Sequence, residues 1–232
     1  MTHKSNYWLA LSITLAFSPH PTRAQELELK LQNASEWLAQ AIPHGTSHKK
    51  IVPVVLPMNT PSYQQFASAA YPDEMATSIG KPALSAFFQQ NGLVDGKKAD
   101  ICYLLFNPMA TDELMKQFVT NHDSKLQPNY VPYVFLAAHE LGHCYDFQRK
   151  QSPAYNSFEA EVFADAFAIH ILLMAKIPEY EIKYVIASRN NTSQTHSTWK
   201  KIEQILNQKS APRNIKNIED IINASDNVTK GN

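Results

Sequence analysis

Neither sign of charge is in excess in this chain: 21 Lys and Arg stand against 21 Asp and Glu. No stretch gathers the basic residues into a patch, which argues against a nucleic-acid partner. Polybasic and lipidation signals that would recruit the chain to a membrane surface are missing too. Beyond the N-terminal stretch, no apolar run approaches the ~20 residues that cross a bilayer. Internal repeats, low-complexity tracts and a clear linker are lacking. Cysteine is scarce, with Cys102 and Cys144 alone. The G-x-S-x-G elbow of serine hydrolases does not occur, and Cys144 has no base in register, so neither hydrolase class finds support.

What is present begins with an export signal. Lys4 opens a short basic region, Trp8 to Phe17 is apolar, and Thr22-Arg23-Ala24 places small residues at −3 and −1. Residues 1–24 therefore read as a secretory signal peptide cleaved before Gln25, with the mature protein periplasmic or secreted. The apolar run is too short for a membrane anchor. Without Lys4 and Arg23, 19 basic residues face 21 acidic ones, a net charge of about −2. Residues 25–232 suffice for one domain with a core, an α/β part over 25–130 and a helical part over 131–232.

The informative stretch is Ala137-Ala138-His139-Glu140-Leu141-Gly142-His143-Cys144. Its H-E-x-x-H spacing puts His139 and His143 one turn apart on one helical face, where both imidazoles reach a single Zn²⁺. Glu140 follows directly, beside the metal without ligating it, and can take a proton from zinc-bound water and pass it to a leaving amine. The lead-in from Tyr133 to Ala138 is apolar, so the helix is buried, and polar groups on a buried helix need a reason. A third ligand comes from Ser157 to Ala168, a segment rich in Ala and Phe. Glu161 and Asp165 share a face at i,i+4 there: a carboxylate ligand, then an Asp that accepts the free ring N–H of a bound His. Glu159 is the rival ligand, but it points away from that face and has Phe163 at i+4.

His139-Glu140-Leu141-Gly142-His143 with Glu161-x-x-Ala164-Asp165 resembles the gluzincins, zinc peptidases that include thermolysin and the HtpX-like proteases. The match looks closest to small exported metallopeptidases and covers roughly residues 131–175. It implies His139, His143 and Glu161 as zinc ligands, Glu140 as general base and Asp165 behind a ligand His. The metzincin pattern fails, because Asp146 and Arg149 occupy its Gly and His positions. Thr195-His196 resembles the T-H-P segment of HtpX-like proteases, with Ser197 in place of the Pro. His196 is on that resemblance a candidate oxyanion donor, or else an incidental residue of a capping loop; Tyr145 and Tyr155 are alternatives. His170 reads as structural or surface.

The rest sets the frame. Helices are predicted over 25–42, in pieces over 61–90 of which the last is 83–90, from an N-cap at Thr111 to about 121, from Pro132 to Lys150, and from Ser157 to about Lys176. Three more follow, over 179–188, from Thr198, and briefly over 215–222. Strands are predicted at 51–56, where Pro53 suggests an edge, and at 101–106, with turns at Asn91-Gly92 and Asp95-Gly96. Residues 101–106, then 51–56, are candidates for the edge strand on which gluzincins hold an extended substrate, or are core strands. Cys102 and Cys144 either form a disulfide from strand to active helix or pack as thiols; Cys144 as a ligand fails, since adjacent helix positions diverge.

The expected fold is α+β and mainly helical, zincin-like helices on a small sheet. The expected function is an exported zinc-dependent endopeptidase acting on protein or peptide substrates. The alternative is a zinc-binding, non-proteolytic partner-binding or regulatory protein.

Overall fold

Leu27, Leu31, Ala34 and Leu38 recur at helical spacing and are all fully buried in the first helix, α1 (Arg23–Ala41). The computed structural model describes residues 21–43, 45–58, 60–70, 84–120, 130–150, 157–188, 198–207 and 215–231. Thr22 closes a capping box with Gln25, and Arg23 donates to Asp112 at 2.8 Å. The cleavage point expected before Gln25 thus falls within the first turn of α1.

Three strands form one sheet of order β1-β3-β2: β1 (Ile51–Pro57), β2 (Leu84–Val94) and β3 (Lys97–Phe106). β1 lies parallel to β3, and β2 antiparallel. The helix expected over 83–90 is corrected to a strand. Its two adjacent aromatics serve opposite faces, as strand alternation requires: Phe87 meets Phe66 and Tyr103, while Phe88 meets Phe147. Asn91-Gly92 is a bulge and not a turn. The register shifts between Gln89 and Gly92, Asn91 takes φ 53°, and its N–H donates to the Asp100 carboxylate at 3.0 Å. The reversal belongs to Asp95-Gly96, with φ of 50° and 74°, the paired positive values of a two-residue type I′ hairpin.

β3, first candidate for the substrate-binding edge, is corrected to the central strand, paired on both sides. The edges are β2 and β1, and Pro53 of β1 sits where a strand tolerates a missing N–H. On one face of the sheet, Tyr63 and Phe66 of α2 (Pro61–Ala70) pack with Leu56, Phe87, Tyr103 and Leu105. After β3, Asn107 and not Thr111 caps α3 (Pro108–Thr120), accepting from the amides of Met109 and Ala110. Thr111 is buried within the helix.

α4 (Val131–Lys150) packs on β2 and β3, and α5 (Phe158–Met174) packs between α4 and the last helix. Every residue of α5 from Ala160 to Leu172 is buried, the pattern of a helix enclosed on all sides. α6 (Glu179–Ser188), α7 (Trp199–Asn207) and α8 (Ile218–Lys230) complete the mainly helical α+β fold. α8 runs past the expected 222, because Ser225 and Val228 extend the buried face begun by Ile218, Ile221 and Ile222. Cys102 of β3 and Cys144 of α4 form a disulfide with Cα atoms 5.9 Å apart. It closes a separation of 42 residues. In the chain-entropy picture a loop of that size contributes about 4 kcal/mol.

Candidate metal centre

Gly142 sets how closely α4 and α5 approach. A Cβ at that position would stand 2.9 Å from the Cα of Ala164 and 3.2 Å from the Cβ of Phe167. The two small residues thus bring the helix backbones together within H-E-L-G-H and E-x-x-A-D, between their polar side chains. His139 and His143 from α4 meet Glu161 and Asp165 from α5 across this contact.

The three expected ligands form a cluster. His139 Nε2 is 3.1 Å from His143 Nε2, and lies 3.5 Å from Glu161 Oε2. His143 Nε2 is 3.4 Å from Glu161 Oε1. For a tetrahedral ion with ligand bonds of about 2.05 Å, neighbouring ligand atoms stand about 3.3 Å apart. The two imidazole nitrogens stand close to that edge, each nitrogen is about as far from one oxygen of Glu161, His139 from Oε2 and His143 from Oε1, and one ligand atom from each residue lies within 4.8 Å of the others. Two imidazole nitrogens and a carboxylate are also a donor set that suits zinc. Among the described residues, this is the group of His, Cys, Asp and Glu side chains able to hold an ion.

Asp165 is fully buried, and its Oδ1 stands 2.8 Å from His139 Nδ1. A carboxylate there keeps the ring proton on Nδ1 and leaves the Nε2 lone pair directed into the cluster. The sequence did not reveal the next link. The hydroxyl of Thr198, immediately before α7, donates to the other carboxylate oxygen of Asp165. Thr198 read as the start of a helix, and that local role hides a contact to a residue 33 positions away.

Glu140, which follows His139 on α4, is buried. The four residues retain slight exposure: 5% at His139, 8% at Glu140, 7% at His143 and 4% at Glu161. Glu159 is exposed in the first turn of α5, apart from the buried cluster. Tyr145 is corrected as an oxyanion donor. Its ring is fully buried against Phe167, and its Oη accepts the Ile51 N–H at 3.2 Å. Burial pushes that phenol up to about 12, the hydrogen bond from Ile51 opposing it. His196 and Tyr155 lie outside the described residues. The residues that break the metzincin pattern have a structural task. Arg149 pairs with Asp146 at 2.6 Å and Asp226 at 2.5 Å, and lies over the Phe163 ring, joining α4, α5 and α8.

His170, in the buried interior of α5, is not at the surface. Among the described residues, neither ring nitrogen has a hydrogen-bond partner. Burial pushes it down to about 4, offset in part by the backbone of Ala224, which lies near without hydrogen-bonding geometry. The unfolded chain therefore takes up this proton first as pH falls from about 6.5 to about 4, and stability drops through that window. From pH 7 to pH 5 the loss from this residue should be about 2 kcal/mol. Urea unfolding in chelator should show the His170→Leu protein losing less over that range by about that amount. Equal losses would remove His170 as the cause.

No family model, curated protein or solved structure matches the chain.

Proposed function

We propose that the protein is an exported zinc-dependent endopeptidase of the gluzincin type. The observation that carries the reading is the approach of His139, His143 and Glu161 to separations close to a tetrahedral edge, with Asp165 on the back of His139. A bound zinc would polarise the scissile carbonyl and acidify the attacking water. Glu140, next to His139 in the chain and itself buried, would take the proton from that water and return it to the leaving amine. Asp165 fixes the tautomer and aim of His139. His196 is the candidate donor to the oxyanion. The signal-like N-terminus argues for export, and a disulfide between Cys102 and Cys144 agrees with an oxidising compartment.

The small exposure of all four residues favours a second reading, a zinc-binding protein that engages a partner without cleaving it. One experiment separates the two. The protein, purified without chelator, is assayed for metal content and incubated with a peptide library. The endopeptidase reading expects about one zinc per chain and cleavage that stops with chelator and returns with zinc. Zinc without cleavage would support the partner-binding reading. Absence of zinc would overturn both.

A further inference from the structure

We propose that Thr198 is a positioning residue of the metal centre, fixing through Asp165 the direction in which His139 presents Nε2. The inference rests on the proposed zinc site and goes beyond it by tying α7 to that site.

Thr198 stands where other helices of this chain carry a side-chain cap. Ser157 accepts from the amide of Ala160, and Asn217 from that of Asp220. At α7 the backbone carbonyl of Thr198 accepts from the amides of Lys201 and Ile202 as at any helix start. Its hydroxyl is directed elsewhere, to Asp165 Oδ2. Both groups are shut away from water, Thr198 at 1% exposure and Asp165 at 0%. Water is therefore poorly placed to replace the bond.

The geometric consequence follows from the two oxygens. Anchors on both oxygens, at His139 Nδ1 for Oδ1 and Thr198 Oγ1 for Oδ2, set the plane of the carboxylate. A fixed Asp165 holds the His139 ring, and with it one of three ligand atoms. Thr198 in turn is held by α7, whose Ile202 and Ile205 are buried in the core. The C-terminal helices thereby help define a site whose ligands all lie on α4 and α5.

Zinc affinity of the full chain, measured by competition with a chromophoric chelator, tests this. Thr198→Val keeps shape and removes the hydroxyl, and should weaken binding about tenfold. Thr198→Ser keeps the hydroxyl and should stay within about threefold of the parent. In an Asp165→Ala background, Thr198→Val should change affinity no further, since the hydroxyl acts only through that carboxylate. Thr198→Ala replaces the Val variant if the latter does not fold. Parental affinity in Thr198→Val would overturn the inference and leave the zinc site standing. Equal weakening in the Ser and Val variants, or additivity with Asp165→Ala, would assign Thr198 to packing alone. No zinc uptake by the parent chain would overturn the metal site and this inference together.

Discussion

Glu140→Gln is expected to remove turnover while leaving the zinc site filled. Glutamine has the size and shape of glutamate, so a residue that is 8% exposed on α4 keeps its packing. It has no carboxylate to accept a proton near neutral pH. Glu140 is adjacent to His139 and is not among the three clustered side chains, so affinity should stay within about threefold of the parent. General base catalysis by a positioned carboxylate contributes about 10²–10⁴-fold, and kcat on a cleaved peptide should fall by that factor. Zinc titration on the same sample shows whether the loss is chemical. Residual activity above about a tenth of the parent would sink the assignment of Glu140. Activity and zinc lost together would mean that the substitution had disturbed α4 instead.

The parts of the site that could be read in the sequence are those set by local periodicity. His139 and His143 stand four positions apart on a helix, as do Glu161 and Asp165, so each pair shares a face whatever the remaining chain does. Gly142 and Ala164 were legible as motif letters, but their task, the close approach of two helices, exists only between elements. Thr198 was hidden for the same reason: a Thr before an amphipathic helix already has a local explanation in capping. The misread segment over 84–94 shows the limit of periodicity. Ser85-Ala86-Phe87-Phe88-Gln89-Gln90 has no clean alternation, because Phe87 and Phe88 each meet an aromatic partner on opposite faces of the sheet. Asn91-Gly92 looked like a turn, since a bulge and a turn call for the same freedom at positive φ. The order β1-β3-β2, which removes residues 101–106 from the edge, is a pairing choice that no strand announces alone. The Cys102–Cys144 bridge likewise depended on a distance, 5.9 Å between Cα atoms, that spacing along a chain cannot supply.

His139→Ala and Glu161→Ala should each abolish tight zinc binding, and Glu159→Ala should not. A structural zinc site is worth roughly 12 kcal/mol. Sharing that among three protein ligands gives about 4 kcal/mol each, close to a thousandfold in Kd. Glu159, exposed in the first turn of α5, interacts with the helix dipole at most, so its removal should change zinc affinity less than about twofold. The same variants, unfolded in chelator, decide what the cluster is for. Two imidazole nitrogens and the two Glu161 oxygens, 3.1–3.5 Å apart, stabilise a fold little without a cation between them. The metal-free Glu161→Ala protein should therefore melt within about 4 °C of the metal-free parent, while zinc raises the Tm of the parent alone. A large loss of stability in the metal-free variant, with no zinc effect on the parent, would mean that the two helices meet in a polar structural network. Loss of zinc in Glu159→Ala with retention in Glu161→Ala would transfer the third ligand to the other carboxylate. The expected split, metal binding lost and the fold kept, is what separates a site maintained for function from one maintained for stability.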